Sequence, residues 1–243
     1  MDYLDFAGKT VLVVGGSSGI GNAIAQAFRQ AGSHVYVWGT RASAEDYADE
    51  PGSDLRGLDY DRVDVGVAGA VAAYQPPFDR LDVLALSQGI VLDKEEFTEE
   101  GFRRVVEVNL VSLMTCATKF HDHLAASAGS LIVVGSSAAF HATADVPAYN
   151  ASKAGAAGLT RNLAQLWAGD GIRVNCIAPG YVPTKLNNAL MTNPERRAAA
   201  LARIPLGRFG TGDEMARIAL FLASPLASYV IGQTILADGG MLL

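Results

Sequence analysis

Short apolar runs alternate along this chain with longer segments of helical period. The runs that we predict to be strands are TVLVVG, HVYVWG, DLRGLDY, LDVLALS, SLIVVGS, IRVNCIAP and QTILAD, at 10–15, 34–39, 54–60, 81–87, 130–136, 172–179 and 233–238. Most of them are continuously apolar rather than alternating, which is typical of a parallel sheet that helices cover on both faces. The pattern therefore predicts an α/β fold with a doubly wound parallel sheet of about seven strands.

The alternation continues from end to end without an internal repeat, a low-complexity tract or a linker. We therefore expect a single domain over residues 1–243, a size that α/β folds often reach as one domain. The stretch between the second and third predicted strands, residues 40–54, has room for about one short helix and ends in a Pro-Gly turn.

Composition excludes several classes of protein. The net charge of −6 argues against a protein that binds nucleic acid. The N-terminus has no apolar signal region, and no apolar run reaches the roughly 18 residues of a membrane span. We expect Cys116 and Cys176 to be reduced core thiols in a cytoplasmic protein without a metal site, since His121 and His123 point to different sides of a helix.

A glycine-rich turn follows the first predicted strand. The sequence GGSSGIGNAIAQAF places Gly15, Gly19 and Gly21 between that strand and an amphipathic helix. Glycines there allow a tight turn and close backbone approach, and the free N–H groups of the new helix attract a pyrophosphate. An ordinary strand-to-helix turn has the same composition, but the position at the start of a βαβ unit favours nucleotide binding.

The spacing G-x-x-x-G-x-G resembles that of the short-chain dehydrogenase/reductase family. Further similar motifs follow in the order of that family: Asn109 in VVEVNLVSLM, the serine in LIVVGSS, then YNASK, RVNCIAPGYVPT and the closing PLGRFG…FLASPLASYVIGQTILADGG. The resemblance covers essentially the whole chain. It implies a Rossmann-type fold and an NAD(P)-dependent oxidoreductase of the Tyr-x-x-x-Lys type.

Tyr149 and Lys153 lie four residues apart on a predicted helix, so their side chains share one face. A neighbouring ammonium favours the phenolate, and we expect it to lower the pKa of Tyr149 from about 10. The resemblance implies that Tyr149 is the general acid/base and that Lys153 also binds the nicotinamide ribose. Taken alone, the pair is better explained by a tyrosine that caps a core helix and a solvated lysine, but the other motifs disfavour that interpretation.

The resemblance also implies a serine that binds the substrate oxygen and an asparagine that holds a helix open beside the lysine. Ser136 lies thirteen positions before Tyr149, the spacing of the family, and Ser137 lies twelve before it. We favour Ser136 for the first role and assign Asn109 to the second.

The same resemblance implies a set of cofactor contacts. Val182 and Thr184 follow the Pro179-Gly180 turn and are expected beside the nicotinamide, and Asp59 resembles the residue that contacts the adenine amino group. The complete set of expected cofactor positions is Gly15, Ser17, Ser18, Gly19, Ile20, Gly21, Thr40, Arg41, Asp59, Ser87, Gly89, Tyr149, Lys153, Pro179, Gly180, Val182 and Thr184.

Two segments depart from the family pattern. Val14 replaces the usual threonine, and ALSQG at 85–89 replaces the usual Asn-Asn-Ala-Gly, so we expect apolar contact between Val14 and Leu86 where a hydrogen bond is usual. Gly39 stands where NAD-specific members carry an aspartate for the ribose hydroxyls. With Arg41 nearby to bind a 2′-phosphate, NADP(H) is favoured over NAD(H).

The predicted activity is hydride transfer between NADP(H) or NAD(H) and a small carbonyl compound or secondary alcohol: a sugar acid, polyol, cyclic ketone or 3-oxoacyl group. Ser136, His141, Tyr181 and Leu186 are the expected substrate contacts, with Phe140, Asp145 and Asn188 near the mouth and a substrate lid around 185–205. The resemblance implies a homotetramer, or a dimer. A catalytically silent nucleotide sensor or scaffold is the alternative; an NAD-bound lyase or epimerase fits less well because the chain stops at DGGMLL.

Overall fold

The computed structural model describes residues 3–243, so the first two residues of the predicted 1–243 domain lie outside the described range. Within that range one sheet has the order β3-β2-β1-β4-β5-β6-β7, and all neighbouring strands are parallel. The strands are β1 (Thr10–Val14), β2 (His34–Gly39), β3 (Asp59–Arg62), β4 (Val83–Leu86), β5 (Ser130–Val134), β6 (Arg173–Pro179) and β7 (Thr234–Ala237). This strand order confirms the predicted doubly wound sheet. The order of the strands reverses between β1 and β4, while the strands themselves stay parallel.

Helices connect the strands and cover both faces of the sheet. They are α1 (Gly19–Gln30), α2 (Ala70–Ala73), α3 (Glu99–Val106), α4 (Ser112–Lys119), α5 (His121–Ala125), α6 (Pro147–Trp167), α7 (Asn188–Thr192), α8 (Pro194–Ala202) and α9 (Gly212–Ala223). The longest, α6, begins with Pro147, which suits the first helical position because its missing N–H would have no partner there.

The core consists of two apolar layers, one on each side of the sheet. Successive residues of β1 alternate between them: Leu12 and Val14 join the layer under α4 and α6, whereas Val11 and Val13 join the layer under α1 and α9. Because both faces of the central strands are covered, their residues are buried except Thr10 and Arg173, which start β1 and β6 and are partly buried. This explains why the strand sequences are continuously apolar.

The third strand lies later in the chain than its predicted position at 54–60. It spans Asp59–Arg62, and residues 54–58 instead run along α1. The amide of Asn22 pairs with the backbone of Asp54, donating to its carbonyl at 2.9 Å and accepting from its N–H at 2.9 Å. Gly57 turns the chain with a φ of +72°. The expected short helix before it is a single 3₁₀ turn, Glu45–Tyr47.

Both cysteines are free and buried, which confirms the prediction of two core thiols. Burial raises the pKa of the Cys116 thiol to about 12. Among residues 3–243, the helices are all too short or too polar to cross a membrane.

Asp82 joins β1 to β4 at the amino end of the sheet. Its side chain is 7% exposed and accepts hydrogen bonds from the Thr10 N–H and the Lys9 ammonium, both at 3.0 Å, and from Arg80 at 2.7 Å. Burial raises the pKa of this carboxyl, but these bonds outweigh burial and bring the pKa below its ordinary value.

We expect Asp82→Asn to lower the free energy of unfolding at pH 7 by about 2 kcal/mol, because it removes charge-assisted bonds from a buried group. The carboxylate stabilises the fold above its unfolded pKa of about 4, and this contribution disappears as the pH falls through the lower folded value. Urea unfolding from pH 7 to 3.5 should therefore show the difference from the parent protein shrinking in acid. The exposed Asp79→Asn is the matched control, and a pH-independent difference would contradict the assignment.

Candidate active site

The carboxyl ends of the parallel strands bring the predicted site segments to one edge of the sheet. The turn at 15–18 follows β1, the loop at 87–92 follows β4, Ser136 follows β5, and the segment 180–184 follows β6. The first turns of α6 lie against this edge. In doubly wound sheets ligands bind at this edge, beside the reversal of strand order.

The glycine turn after β1 has the geometry that close approach of a phosphate requires. Gly15 and Gly19 have φ values of +73° and +58°, a region that side chains disfavour. A Cβ atom on Gly21 would collide with the carbonyl oxygen of Gly15. Val14 is the register partner of Leu86, and both are buried, as expected from the two departures.

Lys153 is buried, and its ammonium lies at the carboxyl end of β5. Its side chain is 5% exposed, and Nζ donates to the Val134 carbonyl at 3.0 Å. The same nitrogen lies 5.6 Å from the centroid of the Tyr149 ring. Burial lowers the pKa of Lys153 to about 8. The lysine is therefore poised to exchange a proton near neutral pH.

The sequence predicts a lowered pKa for Tyr149, but in this structure the pKa is raised, so the prediction is wrong. Burial is the largest cause, a hydrogen bond with Ser136 opposes it, and the charge of Glu96 adds to it. Lys153 directs its ammonium to the Val134 carbonyl, so the expected stabilisation of the phenolate does not prevail. Of the two candidate serines, Ser136 is the one that reaches the phenol.

A single π turn places Asn109 in the site. The turn spans Glu107–Val111 between α3 and α4, and its wider winding leaves Asn109 fully buried. The Asn109 amide brackets Ile90: Oδ1 accepts from the Ile90 N–H at 2.8 Å, and Nδ2 donates to the Ile90 carbonyl at 2.9 Å. Nδ2 also lies 3.2 Å from Ser152 Oγ on α6. Asn109 thus ties the loop after β4 to α6.

Glu96 is a site residue that the sequence analysis missed. It is 1% exposed, and its carboxylate accepts from the Leu92 N–H at 3.1 Å and the Tyr149 N–H at 2.9 Å. It therefore caps the first turn of α6 and fixes the backbone that carries Tyr149. The sequence offers no signal for this role, because Glu96 stands among four other acidic residues between 93 and 100.

The carboxyl end of β2 is occupied by the protein's own side chains. The phenol of Tyr47 accepts from the backbone N–H groups of Thr40 at 3.1 Å and Arg41 at 3.2 Å. A Cβ atom on Gly39 would lie 2.7 Å from that phenol and 2.9 Å from Ser17 Oγ. An aspartate at position 39 would therefore have to displace the side chains of Tyr47 and Ser17. Arg41 stacks on the Tyr47 ring at 4.4 Å and pairs with Glu50.

Asp59 is not at the cofactor edge, so its predicted contact with adenine is wrong. It opens β3 at the amino end of the sheet, where it pairs with His34, the first residue of β2. The error follows from placing the third strand too early. Asp64, which follows the other end of β3, accepts from the Gly66 N–H at 2.9 Å and is the acidic residue at the expected edge.

The predicted substrate residues lie on loops at the same edge of the sheet. His141 Nδ1 bonds the Ala142 carbonyl at 2.9 Å, and the Tyr181 ring lies 6.3 Å from Phe209. Leu186 is 44% exposed in the turn that precedes α7. The expected lid consists of that turn with α7 and α8. The remaining expected cofactor positions on the edge segments are Ser17, Ser18, Ile20, Ser87, Gly89, Pro179, Gly180, Val182 and Thr184.

These residues fit a nicotinamide dinucleotide at two of its three parts. The glycine turn allows close approach of a pyrophosphate, although the Gly19 N–H already donates to the Gly52 carbonyl at 2.8 Å. At the other end, Lys153 Nζ and Asn109 Oδ1 lie beside Gly89, where an added Cβ would meet them at ordinary contact distances of 3.6 and 3.5 Å. At the adenosine part, Tyr47 and its segment already contact the backbone that would face the ribose.

Comparisons with known proteins agree with this geometry. A family model described as enoyl-(acyl carrier protein) reductase matches residues 14–242. The 3-oxoacyl-(acyl-carrier-protein) reductase FabG of Chlamydia pneumoniae is 37% identical, with 98% of each chain covered. The 2-dehydro-3-deoxy-D-gluconate 5-dehydrogenase of Bacillus subtilis is 34% identical over 99% of this chain and 97% of its own. The crystal structure of a gluconate 5-dehydrogenase from Burkholderia cenocepacia with NADP and tartrate superimposes with a TM-score of 0.87, at 27% identity over 99% and 97% of the two chains.

We expect Glu96→Gln to lower the pKa of Tyr149, because the variant removes a negative charge beside the phenol, while its amide oxygen still accepts from one of the two backbone N–H groups that Glu96 binds. NMR of protein labelled at the tyrosine Cζ measures this titration, with Tyr149→Phe to assign the signal. The exposed Glu95→Gln removes the same charge one position away and should leave the titration unchanged. Equal titrations in the parent and the Glu96 variant would leave Glu96 with a structural role only.

Lys153→Met should stabilise the fold at pH 7 by about 1–3 kcal/mol, because it removes a charge from a buried position. The folded pKa of about 8 lies below the unfolded value of 10.5, so the cost of burying the ammonium is full below pH 8 and fades as the pH rises towards 10.5. Urea unfolding should show the gain shrinking over that interval. The exposed Lys94→Met is the control; a destabilised Lys153→Met at every pH would contradict this account.

Proposed function

The chain belongs to the short-chain dehydrogenase/reductase family, and on that premise we propose that it transfers a hydride between NADP(H) and a small carbonyl compound or secondary alcohol with Tyr149 as general acid/base. The named relatives are reductases and dehydrogenases of carbonyl and alcohol groups. The observation that supports the residue assignment best is the meeting of the Tyr149 phenol, the Ser136 hydroxyl and the buried Lys153 ammonium at the carboxyl edge of the sheet.

The nicotinamide supplies or accepts the hydride when it is bound. In reduction, Ser136 donates a hydrogen bond to the carbonyl oxygen and Tyr149 Oη gives that oxygen its proton. A raised phenol pKa keeps Tyr149 protonated and ready for this role. Lys153 holds its ammonium beside the phenol, and its lowered pKa suits it to replace the proton that Tyr149 gives up. In alcohol oxidation, Tyr149 Oη takes the proton from the alcohol and passes it on to Lys153.

NADP(H) is the proposed cofactor over NAD(H). Gly39 offers no carboxylate to the ribose hydroxyls, and the side chains of Tyr47 and Ser17 pack against it. Arg41 supplies a guanidinium at the same strand end, a group suited to a 2′-phosphate.

The proposed substrate is a sugar acid, polyol, cyclic ketone or 3-oxoacyl compound. His141 follows β5 and Tyr181 and Leu186 follow β6, at the same edge of the sheet as Ser136, and they supply imidazole, aromatic and aliphatic groups for substrate contact, with the proposed lid at 185–205. Relatives named for 3-oxoacyl and deoxygluconate substrates favour the acyl and sugar-acid classes for the first assays.

A homotetramer in the cytoplasm is the proposed form of the protein. Large apolar side chains are exposed near the C-terminus, where Tyr229 and Leu243 are fully exposed and Leu236 is 41% exposed, and along α3 and α4 at Phe102 and Met114. Such patches favour contact between subunits. Two unpaired cysteines suit a reducing compartment.

Loss of absorbance from NADPH and NADH, measured in parallel against sugar acids, ketoses, cyclic ketones, diketones and acyl thioesters, tests the proposal. Turnover of one class with NADPH would support it. Saturable cofactor binding without turnover of any class would favour a nucleotide sensor in the same fold.

Tyr149→Phe should abolish turnover while changing cofactor affinity by less than about twofold, because it removes only the transferable proton and keeps the ring. Steady-state assays and a fluorescence titration with NADPH measure the two effects. Ordinary activity in this variant would refute the role of Tyr149.

A further inference from the structure

The crossover between β2 and β3 lies over the adenosine end of the cofactor groove. We define the crossover segment as residues 45–54, a single 3₁₀ turn followed by further turns. It contacts the glycine turn, the end of β2 and the loop after β6, which are the three parts of the chain expected around the cofactor phosphates. The charges it brings there therefore bear on which dinucleotide binds.

Backbone bonds fix the segment against the glycine turn. The carbonyl of Gly52 accepts from the Gly19 N–H at 2.8 Å, at the first residue of α1. The hydroxyl of Ser53 donates to the Ser17 carbonyl. Asp54 is held by Asn22 on the next turn of α1. The segment thus cannot be treated as a free surface loop.

Glu50 is held between two cations by this arrangement. Its side chain is only 11% exposed, and its carboxylate pairs with the Arg41 guanidinium and with Lys185 Nζ at 3.2 Å. Burial raises the pKa of Glu50, but the bonds from Arg41 and Lys185 outweigh burial and bring it below its ordinary value. Glu50 is therefore a charged carboxylate at neutral pH.

The Arg41 guanidinium already has partners within the protein, although 33% of the side chain is exposed. Its guanidinium stacks on Tyr47, donates to the Asp46 carbonyl and pairs with Glu50. A 2′-phosphate that bound Arg41 would have to take this guanidinium from a buried carboxylate or accept a negative charge as its neighbour. NAD(H) carries no such phosphate and meets neither cost.

We propose that Glu50 sets the cofactor preference of this chain, because its carboxylate competes with the 2′-phosphate of NADP(H) for Arg41. The inference rests on the proposed function, since it concerns the same cofactor site. It assigns the cofactor selectivity to two residues, Arg41 after the end of β2 and its counter-ion Glu50. Arg41 alone predicts a strong preference for NADP(H), whereas the pair predicts a weak one.

Fluorescence titrations with NADPH and NADH on the parent protein, Glu50→Gln and Glu45→Gln test this inference. Glu50→Gln should tighten NADPH binding by about fivefold or more and change NADH binding by less than about twofold, because it frees Arg41 without removing the side chain's bulk. Glu45→Gln removes the same charge from an exposed site in the same segment and should change neither. Unchanged NADPH affinity, or an equal gain for both cofactors, would overturn the proposal.

The double variant Glu50→Gln/Arg41→Ala tests whether the gain in NADPH affinity depends on Arg41 or on another part of the crossover segment. Loss of the NADPH gain in the double variant supports competition for Arg41, and a retained gain overturns it. If thermal melting shows that Glu50→Gln does not fold, Glu50→Asp keeps the charge but shortens its reach, and it should give a smaller gain in the same direction; no gain there overturns the proposal.

Failure of the proposed function has a different signature. Turnover with an unaltered cofactor preference in Glu50→Gln would refute the inference alone. Absence of binding for both cofactors in the parent and in Glu50→Gln would refute both. Binding of NADPH by Glu50→Gln but not by the parent would support the inference in its strongest form.

Discussion

The candidate site depends on two buried side chains that hold the loop after β4 at a fixed distance from α6. Asn109 brackets Ile90 and reaches Ser152, and Glu96 joins the N–H of Leu92 to that of Tyr149. No strand pairing connects these segments, so without the amide and the carboxylate their backbone groups would be unsatisfied in the interior. These ties fix α6, and with it both Tyr149 and Lys153, relative to the loop after β4.

The two ends of the groove contrast in their electrostatics. At the nicotinamide end, burial raises the pKa of the Tyr149 phenol and lowers that of the Lys153 ammonium to about 8, which moves apart two proton affinities that are nearly equal in free tyrosine and lysine, and so favours proton transfer from the ammonium to a phenolate. At the adenosine end, the Glu50 carboxylate pairs with Arg41 and Lys185 and offsets part of their positive charge. The first end is prepared for proton transfer, and the second reduces the attraction for an additional phosphate.

Hydrophobic pattern and glycine spacing predicted the sheet, its parallel sense and the location of the site, because these depend on local periodicity and on where strands end. The third strand and Asp59 were misplaced because residues 54–58 owe their path to Asn22, a contact that no local pattern encodes. The pKa of Tyr149 was misjudged because i, i+4 spacing gives proximity but not burial or the competing Val134 carbonyl. Glu96 and Glu50 were missed because burial of one glutamate among several depends on tertiary packing.

The π turn at Glu107–Val111 has a consequence for how the chain can change in evolution. A π turn contains one residue more than the α-helical turn it replaces, so every residue of α4 after it is rotated by about 100° relative to a continuous helix. The face that buries Leu113, Cys116 and Ala117 is correct only with that extra residue in place. Deletion of one residue would restore regular winding but turn this face outwards, so the insertion and the apolar pattern of α4 must be inherited together.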